Sequence, residues 1–187
     1  VIGEIPIDTL SSKAPVYERK WSKTKIPEKK TQLKDLKKIK LQDALLKILS
    51  SPNHSNKDWV TNQYDQMVMC NTVEKSGSDS GIIRIHNKNK GIAVTVDSSA
   101  NYSKAHPLTG GKQIICESWR NLISVGAKPI AITNCLNFGN PENKEIMGEF
   151  AENILGIKEA CEFLDFPVVS GNVSFYNGTN NNNIYQG

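Results

Sequence analysis

In the first third of the chain, apolar residues follow a clear helical period in one segment only. In residues 41–50 the apolar residues recur at helical spacing, which predicts an amphipathic helix. A second, shorter helix is predicted at about residues 57–64, after the chain-breaking sequence SPNHSN. Residues 4–18 are expected to form a short strand followed by a proline-containing turn. Residues 4–18 are too short to fold by themselves and are expected to be the tail of a preceding domain.

Further along, short β-branched runs alternate with helical patterns. Strands are predicted over residues 66–73, 81–86, 91–97, 128–138 and 166–177, the last broken at Ser170-Gly171-Asn172 into two short strands. A helix is predicted over 111–125, ended by Gly126. Another is predicted to begin with Asn140 as its N-cap and Pro141 at its first position. This alternation favours a layered α/β fold.

Composition and cysteine spacing narrow the class of protein. The 187 residues are 38% hydrophobic, and no run approaches the roughly 20 apolar residues that span a bilayer. The first residues lack the pattern of a signal peptide, so a cytoplasmic protein is expected. Four cysteines without a C-x-x-C pair, together with isolated histidines, exclude a zinc finger. Two disulfides are one interpretation, but reduced and mostly buried thiols are favoured, with Cys135 and Cys161 both buried.

Positive charge is concentrated near the start of the chain. Residues 1–60 hold 13 Lys and Arg against 7 Asp and Glu, whereas residues 61–187 hold 10 against 12. The lysine-rich segment within residues 20–47 is compatible with a nucleic-acid-binding module, because lysines neutralise phosphates. Apart from Trp21, however, it lacks aromatics for base stacking. A solvated basic linker is the favoured interpretation, and nucleic acid is disfavoured as a partner.

Polar side chains gather where the predicted strands end, which is where open α/β folds place ligands. Gly110-Gly111-Lys112 is compatible with an anion contact at a helix start or with a tight turn, and the sequence does not separate the two. Asn134 and Asn137 are unusual in and beside a strand. Asn172 and Ser174 lie two residues apart and would face one side of an extended segment. Because an amide oxygen suits Mg²⁺ as a supporting ligand, a Mg-nucleotide site is one interpretation.

Three longer segments carry a family resemblance. NQYDQMVMCNTV, the stretch from GGKQIICESW through LNFGNPENKEIM, and FPVVSGNVSFYN resemble, in order, the second synthase-like half of phosphoribosylformylglycinamidine synthase large subunits. The N-terminal IPIDTLSSKAPVYERKW resembles the end of the first half and the connector. The resemblance implies an internal piece of a longer enzyme. Its expected divisions are a tail at 1–18, a basic linker and short helix at 19–56, and an α/β domain at 57–187, truncated at its end.

What the resemblance implies is specific. The fold would be the N-terminal domain type of the aminoimidazole ribonucleotide synthetase superfamily, a mixed sheet packed with helices. The activity would be an ATP- and Mg²⁺-dependent carbon–nitrogen ligation in purine biosynthesis, converting formylglycinamide ribonucleotide and glutamine-derived ammonia to the amidine. The partners would be the first half of the same enzyme, a glutaminase subunit and a small accessory subunit. The piece alone is expected to be inactive, and dimerisation is one way for it to cover its exposed sheet.

Site residues follow from the motif positions. By resemblance, Gly171 contacts nucleotide, Asn172 binds Mg²⁺ and Ser174 contacts substrate. Asn134 stands where the family carries an ATP-contacting Asp, so it keeps an acceptor and loses the charge. No catalytic residue is expected in this piece. A structural nucleotide-binding half without turnover is the other interpretation.

Overall fold

The computed structural model describes residues 2–26, 32, 34, 36, 38–63, 68–75, 77–180 and 182–184. Its first third contains a 3₁₀ turn at Ile7–Leu10, helix α1 at Leu41–Leu49, a 3₁₀ turn at Pro52–His54, and a single-turn helix α2 at Asp58–Thr61. Both predicted helices are confirmed, although α2 is short. The strand expected within residues 4–18 is wrong. Pro6 precedes a turn closed by Ser11 N–H on the Asp8 carbonyl, and no other strand pairs with this segment among the described residues.

An antiparallel sheet of three strands comes next. It consists of β1 at Thr72–Glu74, β2 at Gly81–Arg84 and β3 at Gly91–Val94, in that order across the sheet. The polar turn between β2 and β3 makes the predicted hairpin, which the Ile85 N–H closes on the Lys90 carbonyl at 2.9 Å. Of the predicted strand at 66–73, residues 66 and 67 lie outside the described part of the chain.

Helix α3 covers Ala100–Ala105, and α4 covers Pro107–Ser124. The α4 helix begins four residues before the predicted start because His106 caps it: its Nδ1 accepts a hydrogen bond from Thr109 N–H at 3.3 Å. Gly126 ends the helix as expected, with φ at 78°. The Gly126 N–H bonds the Ile123 carbonyl and the Ala127 N–H bonds the Leu122 carbonyl, which together form a Schellman motif.

Strand β4 at Ile132–Asn137, helix α5 at Lys144–Leu164 and strand β5 at Val168–Ser174 form a β-α-β unit with parallel strands. The N-cap of α5 is Asn143, whose Oδ1 accepts from the N–H groups of Glu145 and Ile146. The prediction of Asn140 as the cap is therefore wrong, because the Asn140 side chain closes the preceding turn on Glu142 N–H instead. The predicted break at Ser170-Gly171-Asn172 is also wrong, since pairing with β4 keeps β5 continuous. A small hairpin of β6 at Gly178–Thr179 and β7 at Asn182–Asn183 follows.

One core joins α4, α5 and the β4–β5 pair, confirming the mixed α/β fold. Its buried apolar members are Ile115, Leu122, Leu136, Phe138, Ile157, Ala160 and Phe166. Gly156 allows the two helices to cross closely, because a Cβ there would overlap the Leu108 carbonyl oxygen. Each large apolar side chain buried in this way contributes about 1.5–3 kcal/mol, so this unit supplies most of the stability. No helix in the described part of the chain is long and apolar enough to cross a membrane.

Residues 19–24, expected to be part of a linker, lie along α5. The Ser22 N–H donates to the Lys144 carbonyl at 3.0 Å, and the Thr24 N–H donates to the buried Glu152 carboxylate at 3.0 Å. Gly148 makes this approach possible, because a Cβ there would overlap the Ser22 carbonyl oxygen. We call residues 19–24 the strap. The expectation of a free linker is wrong for this segment.

The expected burial of the thiols differs from the structure. None of the four cysteines, all within the described residues, forms a disulfide; Cys70 and Cys135 are exposed, and Cys116 and Cys161 are half-buried. Cys135 follows the alternation of β4: Leu136 faces the helices, so its neighbour points to the uncovered side of the sheet. The prediction of a buried Cys135 is therefore wrong.

Candidate functional site

Parallel pairing of β4 and β5 brings two predicted site residues together. Asn134 lies opposite Gly171 in the register. The Asn134 side-chain oxygen occupies the space directly over Gly171, where a Cβ would overlap it. Glycine is therefore required at 171 for this amide to lie across the strand. Asn134 is half-buried and Gly171 is exposed, so the pair remains accessible at the sheet surface.

The other two predicted residues point to the opposite face of the same strands. Strand β5 is extended through Ser174, so Asn172 and Ser174 share a face, as the sequence predicts. Their partners in the register are Cys135 and Asn137. By the same alternation, Asn134 and Gly171 belong to the other face. The four predicted residues thus meet within two strands but not in one concave pocket.

Asn177 orders the end of β5, although it is not among the predicted site residues. The Ser174 hydroxyl donates to Asn177 Oδ1 at 3.2 Å, and the Asn177 amide donates to the Phe138 and Ser174 carbonyls at 3.0 Å each. Asn177 thus connects the ends of both strands and orients the predicted substrate-contacting hydroxyl. Its only sequence signal was an amide residue at the last position of a predicted strand.

Aromatic packing against α5 also fixes the loop that follows β5. The Phe150 ring on α5 lies edge-to-face against Phe138 and against Phe175, with 5.1 Å between ring centroids in each pair. Such pairs contribute about 0.5–1.5 kcal/mol beyond their buried area. The backbone that follows Ser174 is therefore anchored to the core through Phe175.

The glycine pair at 110–111 is packing structure and not an anion site. Both glycines are buried inside α4, past its first turn. A Cβ on Gly110 would overlap the backbone of Ser103, and one on Gly111 would overlap the Asn153 carbonyl oxygen. Lys112 pairs with Glu159 on α5. Of the two interpretations of this segment, the structure supports helix packing.

Asp97 and His106, an acid and a histidine that precede α4, have structural partners here. The Asp97 carboxylate accepts from Thr95 Oγ1 at 2.8 Å and from Asn121 Nδ2 at 2.7 Å, which ties the three-stranded sheet to α4. His106 caps α4. Both side chains therefore make contacts that stabilise the fold.

The donors around Asn172 fit Mg²⁺ only in a supporting role. Mg²⁺ favours six oxygen ligands that include carboxylates, phosphates and water. Within the described ranges no group of three or more His, Cys, Asp or Glu side chains is placed to hold a metal ion. Asn172 offers one exposed neutral oxygen next to Cys135 in the register. The described residues therefore do not by themselves supply a full set of magnesium ligands.

Residues 77–187 match the family model described as AIR synthase related protein, N-terminal domain. Among curated proteins, the chain is 58% identical over 179 residues to phosphoribosylformylglycinamidine synthase subunit PurL of Pelagibacter ubique, covering 95% of this chain and 24% of that protein. The protein of the same name from Bartonella tribocorum is 50% identical over 183 residues, covering 96% and 24%. The chain thus spans about a quarter of the length of these relatives.

Solved structures agree with this match. The structure of PurLQS from Thermotoga maritima superposes with a TM-score of 0.73 at 30% identity, covering 100% of this chain and 28% of that one. T. maritima PurL complexed with ATP gives 0.67 at 28% identity, covering 99% and 28%. The complex with FGAR gives 0.61 at 34% identity, covering 71% and 22%. With its mixed α/β fold and family match over more than half its length, the chain belongs to the AIR synthase related protein family, as an N-terminal domain, and corresponds to part of PurL.

Proposed function

We propose that this chain is the second synthase-like part of an ATP-dependent amidine-forming ligase of purine biosynthesis. The reaction would convert formylglycinamide ribonucleotide, ATP and ammonia derived from glutamine to formylglycinamidine ribonucleotide, ADP and phosphate. One observation carries the proposal: β4 and β5 bring Asn134 beside Gly171, and place Asn172 and Ser174 side by side, within the span matched to the family. The names of the relatives and the ATP and FGAR complexes support it.

Each of the predicted site residues would bind or position a ligand, and none would transfer a proton. Gly171 lacks a side chain, so a nucleotide can approach the β5 backbone closely. Asn134 offers a neutral acceptor there, and Asn172 one oxygen toward Mg²⁺. ATP with Mg²⁺ would supply the phosphoryl group that activates the substrate amide oxygen. Catalysis then depends on positioning and charge neutralisation, so this chain needs no catalytic residue of its own.

Ser174 is the residue that we assign to the ribonucleotide substrate. Its hydroxyl is half-buried and oriented by Asn177 at the carboxyl end of β5. A hydroxyl held in this way keeps its acceptor capacity for a donor on the substrate. Pre-ordering by Asn177 lowers the entropy cost of binding.

The proposed partners follow from exposed apolar side chains on β5. Val169 and Val173 on β5 are 66% and 49% exposed, an apolar surface that isolated soluble domains usually cover. The first half of the same enzyme is the proposed cover, and dimerisation would replace it in an isolated piece. We further propose a glutaminase subunit and a small accessory subunit as partners, a cytoplasmic location, and no activity for this chain alone.

The test is Asn172→Ala in the complete enzyme, assayed with formylglycinamide ribonucleotide, ATP and ammonia at limiting Mg²⁺. Loss of a metal ligand should lower turnover at least about tenfold, and excess Mg²⁺ should restore part of it. Asn101→Ala, which changes an exposed asparagine on α3, is the matched control and should keep wild-type turnover. Wild-type turnover by Asn172→Ala at limiting Mg²⁺ would overturn the assignment and favour a nucleotide-binding half that takes no part in the reaction.

A further inference from the structure

Glu142, in the loop between β4 and α5, joins three separate parts of the chain. Its Oε1 accepts a hydrogen bond from the Tyr176 hydroxyl at 3.2 Å, and Arg19 Nη1 of the strap lies 3.6 Å from the same oxygen. Arg19 is itself held over the Tyr17 ring, 4.9 Å from its centroid. One carboxylate therefore connects the strap, the loop before α5 and the loop after β5.

Tyr176 is strained in a way that points to a positional role. Its φ is 60°, in the left-handed region that a bulky side chain rarely adopts. Such residues persist where their surroundings over-determine them, and they cluster at functional sites. Here the Tyr176 N–H bonds the Gly139 carbonyl at 3.0 Å, and the hydroxyl is held by Glu142. The two contacts fix Tyr176 at both its backbone and the tip of its side chain.

Tyr176 lies between two residues whose contacts fix the loop after β5. Phe175 before it packs on Phe150, and Asn177 after it holds the Ser174 hydroxyl. A backbone shift at Tyr176 would therefore reach Asn177, because the two residues share a peptide plane. The orientation of Ser174 depends in turn on Asn177.

We propose that Glu142 is a positioning residue that, through Tyr176 and Arg19, holds the loop after β5 so that Ser174 faces the ribonucleotide substrate. This inference rests on the proposed function, in which Ser174 contacts that substrate. Glu142 acts only through its neighbours and is not a catalytic residue. Its effect should appear in substrate affinity, because the ATP-side pair of Asn134 and Gly171 lies on the other face of the strands.

The expected effect is modest. Glu142 and Tyr176 are both exposed, and water competes with such contacts. We expect Glu142→Ala and Tyr176→Phe each to raise KM for formylglycinamide ribonucleotide about threefold to tenfold, with KM for ATP and Tm unchanged. The double variant should be no worse than Glu142→Ala alone, because Tyr176→Phe removes a contact that Glu142→Ala has already broken. Glu142→Gln, which keeps the acceptor, should restore KM to nearly the wild-type value.

The experiment uses the complete enzyme with two matched controls. Glu162→Ala removes an exposed glutamate that pairs with Lys158 on α5, and Tyr102→Phe removes an exposed hydroxyl on α3; both should keep wild-type KM values. Unchanged KM for the ribonucleotide in Glu142→Ala and Tyr176→Phe, or strictly additive effects in the double variant, would overturn the proposal. A matching rise in KM for ATP would show a general structural role and would also overturn it.

A second measurement separates this proposal from the proposed function. Hydrogen exchange at the amides of Tyr176 and Asn177 in the complete enzyme should speed up about tenfold in Glu142→Ala and stay unchanged in Glu162→Ala. If the wild-type enzyme forms no amidine while Glu142→Ala speeds this exchange, the proposed function fails and the positioning contact stands. If exchange is unchanged while the wild type is active, the positioning proposal fails alone.

Discussion

Residues 107–177 and residues 2–63 use similar apolar patterns in opposite ways. The first region contains every member of the buried apolar core, among them Phe166 at 1% exposure. In the second, no described residue is buried, and Leu45 on α1 is 54% exposed. Both regions contain amphipathic helices, so the helical period alone does not separate them. The difference is whether the apolar face has a partner within this chain.

The comparison teaches that the two regions are stable for different reasons. Helix α5 runs for 21 residues and packs along α4 and β4, so tertiary contacts hold it. Helix α1 has 9 residues, fewer than the roughly 12–15 that an isolated helix needs to be stable in water. We therefore expect α1 to need a surface from the rest of the longer protein. The strap is the exception in the N-terminal region, because it is anchored on α5.

The largest expected effect comes from removing a core ring. Phe166→Ala should lower the free energy of unfolding by about 3–5 kcal/mol, because it leaves a cavity between α4, α5 and the sheet. Leu45→Ala should change it by less than about 0.5 kcal/mol, since its side chain is already largely in water. Chemical denaturation followed by the fluorescence of Trp119, which packs against the core, measures both. A similar decrease in the free energy of unfolding for both variants would contradict the claim that only residues 107–177 have a packed core.

The close crossing of α4 and α5 at Gly156 predicts the next largest effect on stability. Gly156→Ala should destabilise the chain by about 1–3 kcal/mol, because the new Cβ must displace the Leu108 carbonyl, and this outweighs the gain in helix propensity. Gly3→Ala in the N-terminal region meets nothing within 4 Å and should be neutral. The same denaturation assay compares them. A stabilising Gly156→Ala would mean that α4 and α5 do not cross as closely as described.

A smaller effect is expected for the strap, which is the anchored part of the N-terminal region. Gly148→Ala should displace the strap from α5, because a short extended segment yields more easily than a packed helix. Hydrogen exchange should then speed up at the Ser22 and Thr24 amides, while amides in the middle of α4 keep their protection. Protected Ser22 and Thr24 in this variant would show that the strap is not held at Gly148.

Thiol labelling gives the smallest and simplest test. Cys70 and Cys135 are exposed and should react rapidly with a thiol reagent at pH 8. Cys161 should react more slowly, because burial raises the pKa of its thiol and so reduces the thiolate fraction. Its rate should continue to rise with pH beyond the range in which an ordinary cysteine levels off. Equal rates at Cys135 and Cys161 would contradict the described orientation of β4.

Much of the fold could be predicted because local rules and packing agree in the second half of the chain. Gly126 ends α4 as its position predicts, and the hairpin of β2 and β3 forms at its polar turn. The start of α5 could not be placed, because Asn140 and Asn143 both suit a cap, and the preceding turn takes Asn140. The exposure of Cys135 could not be read either, since it depends on which sheet face the helices cover.

The candidate site was predictable in its residues but not in its geometry. The motif positions of Asn134 and Gly171 place them on different strands, and only the register shows that they touch. Asn177, Glu142 and Tyr176 were not predicted as supports. Each is polar in a loop, where such residues usually face water, and their contacts arise from chain segments far apart in sequence.

The most direct measurement is hydrogen exchange of the complete enzyme with and without Mg-ATP. Our account predicts that nucleotide slows exchange in the middle of β4 and β5, around Asn134 and Gly171, and leaves α1 unchanged. The Asn134→Asp variant should strengthen this effect at a given ATP concentration, because a charged acceptor binds a donor more tightly. Unchanged exchange at β4 and β5, or protection confined to α1, would contradict the claim that this sheet forms the nucleotide site.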